Sequence, residues 1–449
     1  MTTVLRPRTL VLFMGDVFFF AFSLWTTLAL RALAWPDEAV LVSYALPFAL
    51  LFAVWVLVYF VAGLYESRSI IFARRALSMT LLVAQIINVS IAALFFFVVP
   101  QFGIAPKTIL LIYLAVSFVS VLLWRVFIFP WLGLQKAEAA LVVGEGPEIA
   151  ELVAALAAAH RAPAHVVATV APSQGHVAEA ISTLMKEHHP RFIIADFNNP
   201  AVAAAFPHIY NLLSRGVRFV DAMDLYEEVF GRVPLSQIDE QWLARNVSRY
   251  SHVLYDPVKM VMDFFGGLVL GSISLLLYPF ICIAILTEDG FPIFIAQERV
   301  GEDNKLVRIY KFRSMSGNDN GKYGNGGATK LHVTRVGRFL RAWRLDELPQ
   351  LWNIMLGSIS LIGPRLEFPS LVEQYENTIP YYGVRHLIKP GLSGWAQLYH
   401  FADPHHAADV EATKMKLSYD LYYLKHRSLT LDIIIAIKTV RRMLVKGNA

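Results

Sequence analysis

Residues 260–286 read MVMDFFGGLVLGSISLLLYPFICIAIL, and whether this run crosses a bilayer decides how the rest of the chain is arranged. Its length permits a full span, since about 20 apolar residues in a helix cover ~30 Å of hydrocarbon. Its flanks do not ask for one. Arg245, Arg249 and Lys259 precede the run and Arg299, Lys305 and Arg308 follow it, so basic charge gives no preference for opposite sides. Pro279 removes an amide donor and clashes with the preceding turn, which breaks the helix inside the run. Lys259 and Asp263, four residues apart, can pair on one face where the run begins. Both flanks are therefore expected on the same side of the membrane.

Moving outward from this run, composition points the same way. The chain is 56% hydrophobic, only 17% charged, with a mean hydropathy of +0.49, against roughly 25% charge in soluble domains. Residues 10–30, 40–62, 76–99 and 108–129 are each long and apolar enough for a transmembrane helix. The first is too long, and too closely followed by others, for a cleaved signal peptide. Arg6 and Arg8 precede it and Arg68, Arg74 and Arg75 join the second helix to the third, whereas the two opposite loops hold only Arg31 and Lys107. Both ends of this four-helix unit, residues 1–136, should then face the cytoplasm. Asp16 sits one to two turns from the basic end, so we expect it to snorkel or to pair with Arg8. A functional buried charge is the alternative.

Residues 137–248 have the composition of a soluble α/β domain. Strands are expected at 140–143, 166–170 and 191–195 and an alanine-rich helix at 148–160, an alternation that suggests a parallel sheet. The turn Gly144-Glu145-Gly146-Pro147-Glu148-Ile149 imitates a dinucleotide fingerprint. Ile149, however, stands where a third glycine belongs, and Glu145 brings negative charge toward any pyrophosphate. A structural or regulatory Rossmann-like domain is the default reading.

Beyond residue 249 the chemistry concentrates. Residues 344–350 read RLDELPQ, placing Asp346 and Glu347 side by side in an arginine-rich neighbourhood. Pro349 suits the first turn of a helix, on which Leu345, Leu348, Leu351, Trp352 and Met355 share one face. The positive helix end, Arg341 and Arg344 should keep Asp346 ionised with a depressed pKa and attract phosphates. An acidic capping pair on a surface helix is the plainer reading of an isolated Asp-Glu. The motifs around it decide against that reading: QERVG at 297–301, YKFRSM at 310–315, TRVGRFLR at 334–341, GPR at 363–365 and KPGLSGWAQ at 389–397.

In that order these segments resemble the polyprenyl-phosphate hexose-1-phosphate transferases, the monotopic phosphoglycosyl transferases that initiate bacterial glycan assembly, from about Asp256 to the C-terminus. The resemblance implies a three-part membrane protein of mixed class: a four-helix transmembrane bundle, a Rossmann-like α/β domain, and an α-rich catalytic domain over 249–449. A proline-broken re-entrant helix at about 258–287, with Lys259, Asp263 and Pro279, would anchor the last part to the inner membrane. It implies transfer of hexose 1-phosphate from a UDP-sugar to undecaprenyl phosphate with release of UMP, at the start of exopolysaccharide, capsule or O-antigen synthesis. Asp346 would be the nucleophile and contact Mg²⁺, Glu347 its partner carboxylate. Arg365, in the turn with Gly363 and Pro364, and Arg341 are the best phosphate clamps, because a planar guanidinium grips two oxygens at once. Lys311 and Arg313 are weaker candidates, equally suited to headgroup or surface ion pairs. The spelling departs from the commonest family pattern at Tyr278, Arg344, Leu366 and Leu398-Tyr399-His400, and the last bears on which hexose is accepted.

Other features carry less. His400, His405 and His406 read as a polar loop rather than a zinc site. Cys282 stands alone, so no intramolecular disulfide exists. The glycine-rich residues 316–330 read as a mobile loop able to close over substrate. Net charge of +5 suits membrane lipids and a diphosphate better than nucleic acid; a homodimer is left open. Two other functions compete. A membrane-bound nucleotide-sugar epimerase or dehydratase needs an intact glycine fingerprint and a Tyr-x-x-x-Lys pair, neither evident between 144 and 221. A non-catalytic scaffold of glycan assembly needs a dispensable Asp346.

Overall fold

The computed structural model describes residues 7–62, 64–65, 74–98, 106–132, 138–158, 164–247, 255–317, 331–399 and 409–446. The glycine-rich stretch from 318 and the histidines 400, 405 and 406 lie outside them. The chain divides into two compact units, residues 1–230 and 231–449.

The first unit opens with four apolar helices, α1 (Pro7–Ala32), α2 (Glu38–Val61), α3 (Arg74–Val98) and α4 (Pro106–Leu123), the last continuing through a π-turn at Trp124–Ile128. Each lies within a few residues of its expected place. Their inward faces meet in an aromatic core, with Trp55 against Tyr113 at 5.1 Å and against Phe20 at 5.6 Å. Outward, Phe18, Leu57, Leu94 and Leu111 are exposed, a surface that needs hydrocarbon rather than water around it.

Asp16 pairs with Arg125, and the Arg8 side chain expected beside it lies outside the described residues. Its carboxylate receives Arg125 Nε at 2.9 Å and Nη2 at 2.5 Å, plus the Tyr65 hydroxyl at 2.8 Å, and it is fully buried. Arg125 Nη1 also donates to the Leu64 carbonyl at 2.9 Å. Sequence order hid this partner because Arg125 is far along the chain, on the π-turn of α4; an ion pair excluded from water outcompetes snorkelling only when the geometry satisfies both partners.

The same unit continues as β1 (Glu138–Val143), α5 (Pro147–Ala158), β2 (Ala164–Val170), α6 (Val177–His188), β3 (Phe192–Ala195), α7 (Pro200–Ile209), β4 (Arg218–Asp221) and α8 (Ala222–Phe230). All four strands run parallel in the order β2-β1-β3-β4. Alternation splits β1 between two cores: Ala140 and Val142 face α5 and α8, Leu141 and Val143 face α6 and α7. At the fingerprint-like turn, Ile149 is buried, and its Cδ1 sits 3.1 Å from where a Gly144 side chain would begin. The isoleucine occupies space that a dinucleotide-binding turn keeps open for close backbone approach.

The second unit comprises α9 (Glu240–Asn246), α10 (Tyr255–Ser274), α11 (Tyr278–Asp289), the antiparallel hairpin β5 (Phe294–Val300) and β6 (Leu306–Phe312), the short pair β7 (Met315–Ser316) and β8 (His332–Val333), α12 (Arg335–Ala342), α13 (Gln350–Met355), β9 (Ser360–Ile362), α14 (Pro369–Thr378), β10 (Gly391–Ser393), α15 (Trp395–Tyr399), α16 (Val410–His426) and α17 (Leu429–Lys446). The apolar run is broken as Pro279 requires: α10 stops at Ser274, three residues form a turn, and α11 restarts with the proline in its first turn. Residues 231–247, read from sequence as the tail of the middle domain, lie in this unit. Trp395 Nε1 donates to the Gly231 carbonyl at 2.7 Å and the Val233 amide to the Ser418 carbonyl at 3.0 Å.

Candidate active site

Four sequence motifs meet in two pairs because glycine lets backbones touch. A Cβ on Gly337 would lie 2.0 Å from the Ser314 carbonyl oxygen, so only glycine lets α12 sit against the strand end that follows Phe312. Thr334 caps that helix, accepting from the Gly337 amide at 2.8 Å. Arg341, one turn on, donates from Nε to Ser314 Oγ at 3.1 Å. The GPR and KPGLSGW motifs meet in the same way: β9 and β10 pair in parallel, and a Cβ on Gly391 would lie 2.0 Å from the Gly363 nitrogen.

Arg344 turns the chain between α12 and the carboxylates, in a left-handed conformation with φ 54° and ψ 24°. Asp346 and Glu347 then sit on a 3-10 turn, Leu345–Glu347, and the helix begins only at Gln350. Sequence periodicity put the pair at the positive end of a helix, and the structure places it on the turn just before one; that helix has only six residues, so its dipole is short. Packing fixes the turn. Leu345 and Leu348 join Ile281, Ile285, Phe312 and Leu340, while Leu351 and Ile354 enter a second cluster with Ile309 and Leu366. Both carboxylates are buried, Asp346 to 7% and Glu347 to 8% exposure.

The neighbouring cations divide unequally between them. Glu347 faces Lys311 at 3.2 Å, Arg365 at 3.6 Å and Arg344 at 3.9 Å. Burial alone pushes its carboxyl up, but these three charges outweigh it and hold the pKa at about 2. Asp346 makes no ion pair with a described residue. Burial and the Glu347 charge beside it raise its pKa, against the weaker pull of Lys311 and Arg341. The expected depression is therefore overturned: Arg344 reaches Glu347, not Asp346. Burial lowers the Lys311 ammonium despite Glu347, with Arg365 and Arg299 adding to the effect.

Of the candidate phosphate ligands, Lys311, Arg341 and Arg365 all converge on this dyad. Arg313 is placed elsewhere, donating to the carbonyls of Phe291, Asp289 and Gly290 at 2.8, 2.5 and 2.6 Å and pairing with Asp289 at 3.1 Å. It holds the turn that ends α11. Lys259 and Asp263 pair at 2.9 Å as their spacing predicts. Asp263 also accepts from Ser360 Oγ at 2.7 Å and the Leu361 amide at 3.1 Å, which ties the start of α10 to the strand leading into Gly363-Pro364-Arg365.

Sequence reasoning missed the support beneath Arg365. Arg385, fully buried, donates to the Arg365 carbonyl at 3.0 Å and pairs with Asp420 at 2.7 Å and Glu367 at 3.7 Å, and Glu367 also pairs with Lys416. Asp432, facing Lys259 at 3.3 Å and accepting from Tyr423 at 2.7 Å, was missed as well. Buried charges with balanced partners are visible only once distant segments meet.

Residues 254–446 match the family model described as bacterial sugar transferase, a stretch that contains the dyad, its cations and the broken helix. An exopolysaccharide production protein of Rhizobium leguminosarum is 33% identical over 42% of this chain and 97% of its own length. The chain belongs to the bacterial sugar transferase family. Other members of this family are similar over half their length. A UDP-N-acetylgalactosamine-undecaprenyl-phosphate N-acetylgalactosaminephosphotransferase of Aeromonas hydrophila is 38% identical over 50% of this chain and 51% of its own. A UDP-glucose:undecaprenyl-phosphate glucose-1-phosphate transferase of Xanthomonas campestris is 34% identical over 54% and 51%. The chain spans about half the length of these curated relatives.

Proposed function

We propose that this sugar transferase moves hexose 1-phosphate from a UDP-sugar to undecaprenyl phosphate, releasing UMP, through a covalent aspartyl phosphosugar. The observation that carries the reading is the unequal pairing of the dyad. Three cations occupy Glu347, leaving Asp346 a buried carboxylate without an ion pair among the described residues, two residues from Arg344 and within the field of Lys311 and Arg341. An oxygen of Asp346 attacks the sugar-bearing phosphorus, forming an acyl phosphate as the bond to UMP breaks. A phosphate oxygen of the lipid then attacks the same phosphorus and the Asp346 carboxylate leaves. Arg365 and Arg341 neutralise phosphate oxygens in both steps. Glu347 fixes Lys311 and Arg365 beside the reacting atoms.

The donor set fits Mg²⁺, which binds one or two carboxylates and takes its remaining oxygens from substrate phosphates and water. Asp346 would hold it, and no cluster of three metal-ligating side chains is required or found among the described residues. The ion would screen the repulsion between a carboxylate and a diphosphate.

In the same reading, α1 to α4 cross the cytoplasmic membrane of a bacterium with both ends inside. The broken pair α10 and α11 enters one leaflet and returns, which keeps the dyad at the inner surface where a cytosolic donor and a lipid phosphate meet. The outward residues of that pair and of the turn between them support this: Met260, Phe265, Val269, Leu276, Phe280 and Ile283 are all exposed and apolar. Titration with a panel of UDP-sugars gives the test. Wild type should exchange labelled UMP into its UDP-sugar without lipid acceptor, and Asp346→Asn should lose that exchange by at least about a thousandfold while still inserting into membranes. Exchange that survives in the Asn variant would show that no covalent Asp346 intermediate forms.

A further inference from the structure

Beside the dyad, on the side of Arg344, lies a small open recess lined by Arg344, Ser393, Gln397, Thr439 and Arg442. No carboxylate is among its described lining residues. Its space is about 30 Å³, more than the ~10–15 Å³ that one water needs. That is too little for a nucleobase or a sugar ring, and enough for the oxygen-bearing end of a bound group.

The polar groups around it are incompletely matched. Both side-chain atoms of Gln397, Nε2 and Oε1, are buried and make no hydrogen bond with a described residue. Such a pair is uncommon in native interiors and calls for a partner. The two hydroxyls are already engaged, with Ser393 Oγ 2.6 Å from Thr439 Oγ1 and the latter donating to the Ile435 carbonyl at 2.8 Å. The Gln397 amide is therefore the polar group of the lining left without a partner among the described residues, and it shares the recess with two guanidinium groups, of which Arg344 also lies 3.9 Å from Glu347. Arg442 Nη1 anchors on the carbonyls of Gln397 and Leu398 at 3.0 and 2.8 Å, which fixes its position at the end of α15. Burial, reinforced by the Arg344 charge, lowers the Arg442 pKa. Two like charges thus share one recess whose described lining holds no acidic residue.

We propose that this recess is an oxyanion subsite of the donor site, in which Arg344, Arg442 and the Gln397 amide hold a negatively charged group of the nucleotide sugar other than the phosphorus that Asp346 attacks. The assignment rests on the reading given under Proposed function. Two groups share the required chemistry: the phosphate that departs with the nucleotide, and a carboxylate on the sugar ring. Guanidinium forks bind either one through paired N–H donors.

The test uses the full chain in nanodiscs, with wild type, Gln397→Leu and Arg442→Gln. Gln397→Leu separates the roles: a merely structural amide that lacks partners is replaced by an apolar side chain without loss of thermal stability and without kinetic effect. If the subsite takes the nucleotide phosphate, both variants bind UMP about tenfold more weakly and uridine equally well. If it takes a sugar carboxylate, UMP binding is unchanged and the wild-type preference for UDP-glucuronate over UDP-glucose falls about tenfold in both variants. Folded variants that match wild type within twofold on UMP, uridine and both donors would show a recess holding only water, and the subsite is then wrong while the transferase reading stands. A wild type that exchanges UMP with no UDP-sugar and binds no UMP overturns both.

Discussion

Asp346 and Glu347 are adjacent in sequence and equally buried, yet their surroundings push their pKa values apart. Glu347 holds three cations and stays ionised down to about pH 2; Asp346, whose pKa is raised by burial and by that neighbour, pairs with no described cation, which is what the proposed nucleophile needs. Environment separates the two carboxylates, as in other paired-carboxylate sites. A second residue gives a pH signature outside the dyad. His386 is buried, its Nδ1 lies 2.5 Å from Asn304 Oδ1, and burial followed by the nearby Arg385 charge lowers its pKa to about 3. The folded value lies below the unfolded one near 6.5, so the unfolded chain binds the extra proton. The stabilisation is complete above pH 6.5 and is lost as pH falls toward 3. Between pH 6.5 and 5, before carboxylates titrate, unfolding free energy should fall by up to ~1.4 kcal/mol per pH unit. Denaturant titrations should show this slope reduced in His386→Gln; an unchanged slope would place the titrating group elsewhere.

At the scale of elements, two helical features can be tested directly. In the first unit, Asp16 on α1 and Arg125 on the π-turn of α4 neutralise each other at full burial. Asp16→Ala should destabilise the helices by about 3–5 kcal/mol, because it strands a buried guanidinium. Asp16→Leu combined with Arg125→Leu should recover much of that loss, read as a thermal transition in nanodiscs. If the double variant melts no higher than the single one, the Arg125 bond to Leu64 matters more than the pair itself. In the second unit, the break between α10 and α11 can be mapped at Lys305, whose side chain is 78% exposed. Asn304 is a poorer probe, since it is bonded to His386. With Cys282→Ala as background, Lys305→Cys in intact cells should resist an impermeant thiol reagent until the membrane is opened. Labelling without opening would make the run a true span and put the dyad outside.

At the scale of the whole molecule, the position of the division between the units predicts where the chain can be cut. All the dyad's described partners lie within residues 231–449, so a chain beginning at 231 should retain UMP exchange in detergent. One beginning at 249 loses the segment that bonds to Trp395 and Ser418, which we expect to cost about 2–3 kcal/mol in lost hydrogen bonds and burial. Its thermal transition should lie several degrees lower. Equal transitions for the two truncations would show that residues 231–247 are dispensable to the fold.

Local sequence determined most elements and marked the residues of the candidate site. Apolar length set the four N-terminal helices, Pro279 set the break between α10 and α11, alternating aliphatic residues set β1 to β3, and Lys259 found Asp263 because both lie on one helical turn. Motif order pointed to the dyad and to Lys311, Arg341 and Arg365. Tertiary structure decided which cation belongs to which carboxylate. It gave Arg344 to Glu347, set Arg313 on the turn after α11, and brought Arg125 to Asp16 from the far end of the helical unit. It also drew residues 231–247 into the second unit. The physical reason is common to these cases. Helix, strand and break follow from bonding and burial within a few residues, whereas Coulomb energy depends on distance and burial, and neither is known until remote segments have packed together.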